Sequence, residues 1–286
     1  MSKNYFHISS HGLEKNDIFK SSEDFIQGMN DIALCKIGYD IRILAFCLMS
    51  NHFHFILYGT EHDCKAFSQE YKRRCAIRMR MRSGEVKGLK DVNIQINEIN
   101  DKEYLENAIV YVLRNPIASS LRTMPYHYKW SSIDLYFNCA QKHSGKCLNE
   151  ISERKRFRIL KSCLPVPGNY LIDAAGMILP SCYVDHSAVE QIFSHPARLL
   201  LALARKIEAD IEIKFGITKH IRMSDQEILT QMSSLIRNEF QKESISQLSM
   251  EQRIKLCKLL KRNFMASSKQ IARLTRLDID IIEKVI

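Results

Sequence analysis

The chain has 286 residues, 45% of them hydrophobic, which excludes a disordered or fibrous class and allows a sizeable core in two domains, or in one with an appendage. The formal net charge is +10 and favours a polyanionic partner. Nine cysteines form no Cys-x-x-Cys pair, and Cys35, Cys47, Cys64 and Cys75 sit among apolar or helical positions, so reduced thiols are expected rather than a disulfide frame or a zinc site.

In chain order, Tyr5 to Ser9 alternates and reads as a short strand. Ser21 to Lys36 has helical spacing, with Phe25, Ile26, Met29, Ile32 and Ala33 on one side. Tyr39 to Met49 and His52 to Tyr58 read as the two strands of a hairpin, joined by a tight turn at Ser50-Asn51. Asp63 to Arg82 is helical, with a basic second half, and Gly84 and Gly88 end it. Val92 to Asn97 alternates as a half-buried strand. Asn100 with Glu103 resembles a capping box for a helix through Tyr104, Leu105, Ile109, Val110 and Tyr111, and Pro116 limits its length. This order predicts an α+β, ferredoxin-like βαββαβ core over residues 1–138, with an antiparallel sheet, helices on one face and the other face free. A polar, basic linker or irregular extension is expected over 139–183, and a mostly α-helical region over 184–286. No run approaches the roughly 20 apolar residues that span a bilayer. Met-Ser-Lys-Asn-Tyr-Phe-His also lacks the apolar core of a signal peptide, so a soluble cytoplasmic protein is expected.

Within the hairpin, His52-Phe53-His54 places two imidazoles two residues apart in an apolar stretch. In a strand both point to one face, where two neutral imidazoles reach one divalent ion. Packed strand histidines are the plainer reading of an arbitrary His-x-His. Tyr111 and Asn115 lie four apart, on one helical face. A tyrosine phenol can act as a nucleophile, and an asparagine carbonyl suits a hard cation. Taken singly, Tyr111 also reads as a core aromatic and Asn115 as a helix C-terminal residue before proline.

The run Leu48-Met-Ser-Asn-His-Phe-His-Phe-Ile-Leu57 resembles the His-hydrophobic-His motif of single-tyrosine HUH transposases. Tyr111-Val-Leu-Arg-Asn-Pro-Ile-Ala118, followed by Trp130-Ser-Ser132, resembles the tyrosine motif of the REP-associated branch, and Tyr5-Phe-His-Ile-Ser looks like its first strand. The resemblance covers about residues 1–137. It implies that His52, His54 and Asn115 hold Mg²⁺ or Mn²⁺. It also implies that Tyr111 attacks a phosphodiester of single-stranded or hairpin DNA (REP-like palindromes), forming a 5′-phosphotyrosine and releasing a 3′ hydroxyl. A monomer is favoured over a homodimer. The chain departs from many relatives in lacking a Gly/Phe/Arg-rich segment before the tyrosine helix; only Arg82-Ser-Gly-Glu-Val-Lys-Gly-Leu-Lys90 and a short strand stand there.

Lys72, Arg73, Arg74, Arg78, Arg80, Arg82, Lys87 and Lys90 concentrate positive charge, expected beside the site, and Arg114 lies within the tyrosine motif. Tyr71 is a candidate to stack on an unpaired base. A solvated helix face is the alternative for this cluster. Three short helices over about 249–286 resemble a helix-turn-helix. Ile271, Ala272 and Leu274 would pack inside it, and Lys269, Gln270, Arg273 and Arg276 would face DNA. A plain three-helix packing module is the alternative. His186 to Lys206 reads as a helical pair broken at His195-Pro196, and His186, His195 and His220 show no ligand spacing. Against the enzyme stands a DNA-binding regulator, domesticated and catalytically weak or inactive, using the same fold; a structural zinc protein is disfavoured by the cysteine spacing.

Overall fold

The computed structural model describes residues 2–11, 17–83, 92–118, 128–138, 145–204, 225–264 and 266–285. Its first half is β1 (Asn4–His11), α1 (Ser22–Ile37), β2 (Arg42–Leu48), β3 (Phe53–Gly59), α2 (Glu61–Ser83), β4 (Asn93–Ile99) and α3 (Lys102–Ala118). The sheet order is β2-β3-β1-β4, and each neighbouring pair is antiparallel. This is the expected α+β, ferredoxin-like arrangement of two interleaved split βαβ units.

Alternation in the strands sorts the side chains into two cores. On one face, Phe6, Ile8, Phe46, Leu48, Phe53, Phe55 and Leu57 pack with Met29, Ile32 and Ala33 of α1 and with Cys64, Phe67, Tyr71, Cys75 and Met79 of α2. The α2 positions recur every three or four residues, one buried stripe of a helix whose other sides are charged. On the opposite face, Leu44, Ala45, Cys47, Met49 and Ile56 pack beneath Leu105, Ala108, Ile109 and Val112 of α3. A register shift between Ile43 and Ala45 lets consecutive residues Leu44 and Ala45 join the same core. Helices therefore cover both faces, and the expectation of a free face is corrected. The physical reason lies in α3, whose apolar residues Leu105, Ala108, Ile109 and Val112 are buried against the second sheet face.

Helix ends follow local chemistry. Ser21 and Asp24 form a reciprocal capping box at α1, each bond 3.2 Å. At α3 the cap is Asp101, whose Oδ1 accepts from Tyr104 N at 2.6 Å, rather than Asn100. Pro116 lies inside α3, which continues to Ala118. The predicted helix breakers Gly84 and Gly88 lie outside the described residues. The free edge of β2 is sealed by Trp130-Ser131-Ser132: Leu48 N donates to Trp130 O (2.8 Å) and Ser132 N to Phe46 O (3.1 Å). Trp130 in turn stacks on Phe25 with ring centroids 4.8 Å apart.

The described part of the expected linker, 145–183, is packed rather than loose. It contains β5 (Lys146–Cys147), α4 (Glu153–Leu160) and β6 (Leu171–Ile172). Leu148, Leu160, Ile172 and Ile178 enter the first core, and Asn30 clamps the segment through Gly176 O (2.9 Å) and Ile178 N (2.7 Å). Helices α5 (His186–Phe193) and α6 (Pro196–Ala204) break at Ser194-His195, one residue before the expected His195-Pro196, and cover α3 through Val189, Phe193, Leu199 and Leu203. A separate core built on Ile228, Met232, Leu256, Leu260, Ile271 and Ile282 unites α7 (Asp225–Phe240), α8 (Met250–Phe264), α9 (Ser268–Thr275) and α10 (Ile279–Val285). Among the described residues no helix is long and apolar enough to cross a membrane.

Candidate active site

The pairing of β1 with β3 sets Ser9 opposite His54 and Ile56 opposite His7. His7 and His54 are thus diagonal neighbours on the sheet face beneath α3. Their rings lie 4° from parallel with centroids 5.3 Å apart, and His7 Nε2 stands 3.1 Å from His54 Nδ1. The centroids are separated by the N···N distance plus roughly one ring diameter, so the imidazoles meet edge to edge, as in an N–H···N hydrogen bond. His52 precedes β3 rather than lying in it, where Met49 N donates to His52 O (2.8 Å) to close the turn. Its ring is still brought to within 5.1 Å of that of His54, nearly perpendicular to it.

Helix α3 supplies the other half. Tyr111 sets its ring edge-on to His54 and His7, at 5.6 and 5.8 Å. One turn on, Asn115 Nδ2 donates to Tyr111 O (3.1 Å) and reaches Val112 O (3.5 Å). Pro116 has no N–H to offer Val112 O, so the asparagine amide takes over a backbone acceptor that proline leaves open. That fixes the amide orientation and turns Asn115 Oδ1 toward His52 Nε2, 3.3 Å away.

His52 is held between two oxygens, since its Nδ1 lies 2.7 Å from Asn51 Oδ1. With its proton on Nδ1, a neutral His52 faces Asn115 Oδ1 lone pair to lone pair, an arrangement that a cation between the two atoms relieves. Neighbouring ligands of an octahedral Mg²⁺, each at about 2.1 Å, stand about 3.0 Å apart, close to the observed spacing. The spacing of these two atoms suits two neighbouring ligands of one divalent ion. Among the described residues no three or more His, Cys, Asp or Glu are grouped to hold a metal, so an ion here would need the amide carbonyl as a ligand. The four residues are almost fully buried, at 6% exposure for His52, 1% for His54, 3% for Tyr111 and 5% for Asn115.

The sequence-predicted DNA contacts fare differently. Tyr71 is wholly buried against Phe53 and Phe55 with its hydroxyl 3.3 Å from Gly28 O, so it cannot stack on a base. Helix α2 packs on the sheet face opposite Tyr111, so its basic row is across the sheet from the site, not beside it. Its charges are largely matched within the fold: Arg73 and Arg74 bond Glu70, Arg74 and Arg78 bond Asp31, Arg82 bonds Asp24, and Lys72 donates to Val92 O. Arg80 is exposed, and Lys87 and Lys90 lie outside the described residues. Arg114 is buried and donates to Leu203 O of α6.

In the C-terminal bundle Gln270 is buried in the capping box of α9, and Arg273 bonds Asp225 at 2.8 and 3.1 Å. Lys269 and Arg276 are exposed. Helix α10, which follows the turn, carries Asp280 and Glu283 against a single Lys284 and offers no basic surface for a groove. The sequence reading missed His7 and Asn51. The signal for His7 was its place between Phe6 and Ile8, which directs it to the same face as His54.

No family model matches the chain, and no curated protein matches it. Among solved structures, a REP-associated tyrosine transposase bound to a REP hairpin is similar at 14% identity over 46% of this chain and 77% of that one, with a TM-score of 0.37.

Proposed function

We propose that this protein is a metal-dependent, single-tyrosine DNA nuclease and strand transferase acting on single-stranded or hairpin DNA, as a cytoplasmic monomer. The observation that carries the reading is convergence: Tyr111 and Asn115, one turn apart on α3, meet His54 and His52 of the β2–β3 hairpin. His52, His54 and Asn115 would hold Mg²⁺ or Mn²⁺, which would supply charge neutralisation at a phosphodiester. The Tyr111 oxygen forms a bond to phosphorus as the bond from phosphorus to the 3′ oxygen breaks. The products are a 5′-phosphotyrosine and a free 3′ hydroxyl, and a second 3′ hydroxyl can reverse the exchange. The test is incubation with labelled hairpin-bearing single-stranded DNA and Mn²⁺. A covalent adduct on a denaturing gel, lost in Tyr111→Phe, is expected; no adduct across varied hairpins would refute the reading.

One observation favours a second reading, a DNA-binding regulator without cleavage: Tyr111 is 3% exposed, so a strand reaches it only after its covering is displaced. Hairpin binding without adduct in the same assay would select that reading.

A further inference from the structure

Both hairpin histidines have a partner at Nδ1: Asn51 Oδ1 for His52, at 2.7 Å, and His7 Nε2 for His54, at 3.1 Å. We infer that His7 is a positioning residue of this site, accepting the Nδ1 proton of His54 and so presenting the Nε2 lone pair of His54 to the divalent ion. The inference rests on the metal-dependent reading above.

One proton lies between the two neutral rings, and its position decides what His54 can do. If His7 Nε2 carries it, His54 accepts at Nδ1, keeps its own proton on Nε2 and has no lone pair for a metal there. If His54 Nδ1 carries it, Nε2 is a ligand and His7 is the acceptor. Metal-binding histidines generally use the second nitrogen in this way, to fix tautomer and ring orientation. His7 is placed to enforce the choice. It is 0% exposed, held in β1 between its antiparallel neighbours β3 and β4, and wedged edge-on against Tyr111 at 5.8 Å. The same ring thus touches a ligand and the nucleophile, tying the sheet half of the site to the α3 half.

The experiment uses the full chain, ¹⁵N-labelled at histidine, with His7→Phe and His7→Gln; glutamine keeps an acceptor near the position of Nε2. Metal-free wild type is expected to show His54 protonated at Nδ1, its signal assigned by its loss in His54→Asn. His7→Phe is expected to lose that preference and to bind Mn²⁺, read by its electron paramagnetic resonance signal, about 10–100-fold more weakly. His7→Gln is expected to restore most of the affinity. An Nε2-protonated His54 in metal-free wild type would overturn the inference, as would a His7→Phe protein that folds and binds Mn²⁺ as wild type does. Absence of Mn²⁺ binding by wild type would instead refute the metal-dependent reading, with the tautomer measurement still judging His7.

Discussion

Nε2 of His52 faces Oδ1 of Asn115 across 3.3 Å, joining the hairpin to the helix that carries Tyr111. The contact depends on Asn115 being locked by its own amide donors at Tyr111 O and Val112 O. Asn115→Ala is expected to weaken Mn²⁺ binding about 10-fold or more, whereas Asn115→Asp is expected to retain or tighten it by adding a carboxylate. Pro116→Ala restores a backbone donor to Val112 O and is expected to loosen Asn115, giving a smaller loss. Titration of the Mn²⁺ resonance signal in the three variants checks the order.

Tyr111→Phe removes one oxygen from a ring whose contacts with His7 and His54 are made by the ring itself. Thermal unfolding is expected to shift by no more than about 1 kcal/mol, within the range for one hydrogen bond. Hairpin affinity should match wild type while covalent adduct disappears. A large loss of stability together with loss of adduct would assign the phenol a structural role.

Much of this was legible in the sequence, and the failures have physical causes. Period-two and helical spacing marked seven elements of the core in the right order, because half-buried strands and one-sided helices must alternate that way. Spacing also joined Tyr111 to Asn115, and the His-x-His run placed both imidazoles near one another. What misled was reading charge without its partners. Arg74 and Arg78 look like a phosphate surface until Asp31 of α1, 43 residues before Arg74, is brought against them by the fold. Tyr71 was misassigned although Cys64, Phe67, Cys75 and Met79 already marked its stripe as the buried side of α2. The contact between His7 and His54 depends on strand register, which local patterns do not encode.

Asp31 is 4% exposed at its side chain and held by two guanidinium groups. Arg78→Ala leaves much of that buried charge uncompensated and is expected to cost about 3 kcal/mol of stability. DNA affinity of the folded fraction should be unchanged, because this face is opposite the site. Denaturant unfolding and a salt series of hairpin binding separate the two effects; an unaltered stability with a shallower salt slope would return Arg78 to the DNA surface.

Tyr71 fills the space between Phe53, Phe55 and Phe67. Tyr71→Ala is expected to cost about 3–5 kcal/mol through the cavity it leaves, and Tyr71→Phe only about 1 kcal/mol through the lost bond to Gly28 O. The phenylalanine variant should bind hairpin DNA like wild type, by fluorescence anisotropy. A clear loss of affinity with Tyr71→Phe would contradict its burial.

In the C-terminal bundle, Lys269 and Arg276, both exposed, differ in circumstance from Arg273, which bonds Asp225. If the bundle touches DNA, each exposed cation that meets a phosphate contributes about one unit to the dependence of log affinity on log salt. Lys269→Ala and Arg276→Ala are therefore expected to flatten the salt slope of the full chain without lowering its unfolding temperature. Arg273→Ala is expected to do the reverse, since it removes one of the bonds between α9 and α7 and leaves Asp225 without its fork-like partner. Acidic α10 argues that any such contact is to the backbone and not to base edges, so scrambling the duplex sequence should leave the bundle's contribution intact. A sequence-dependent loss in Lys269→Ala would show that α9 reads bases after all.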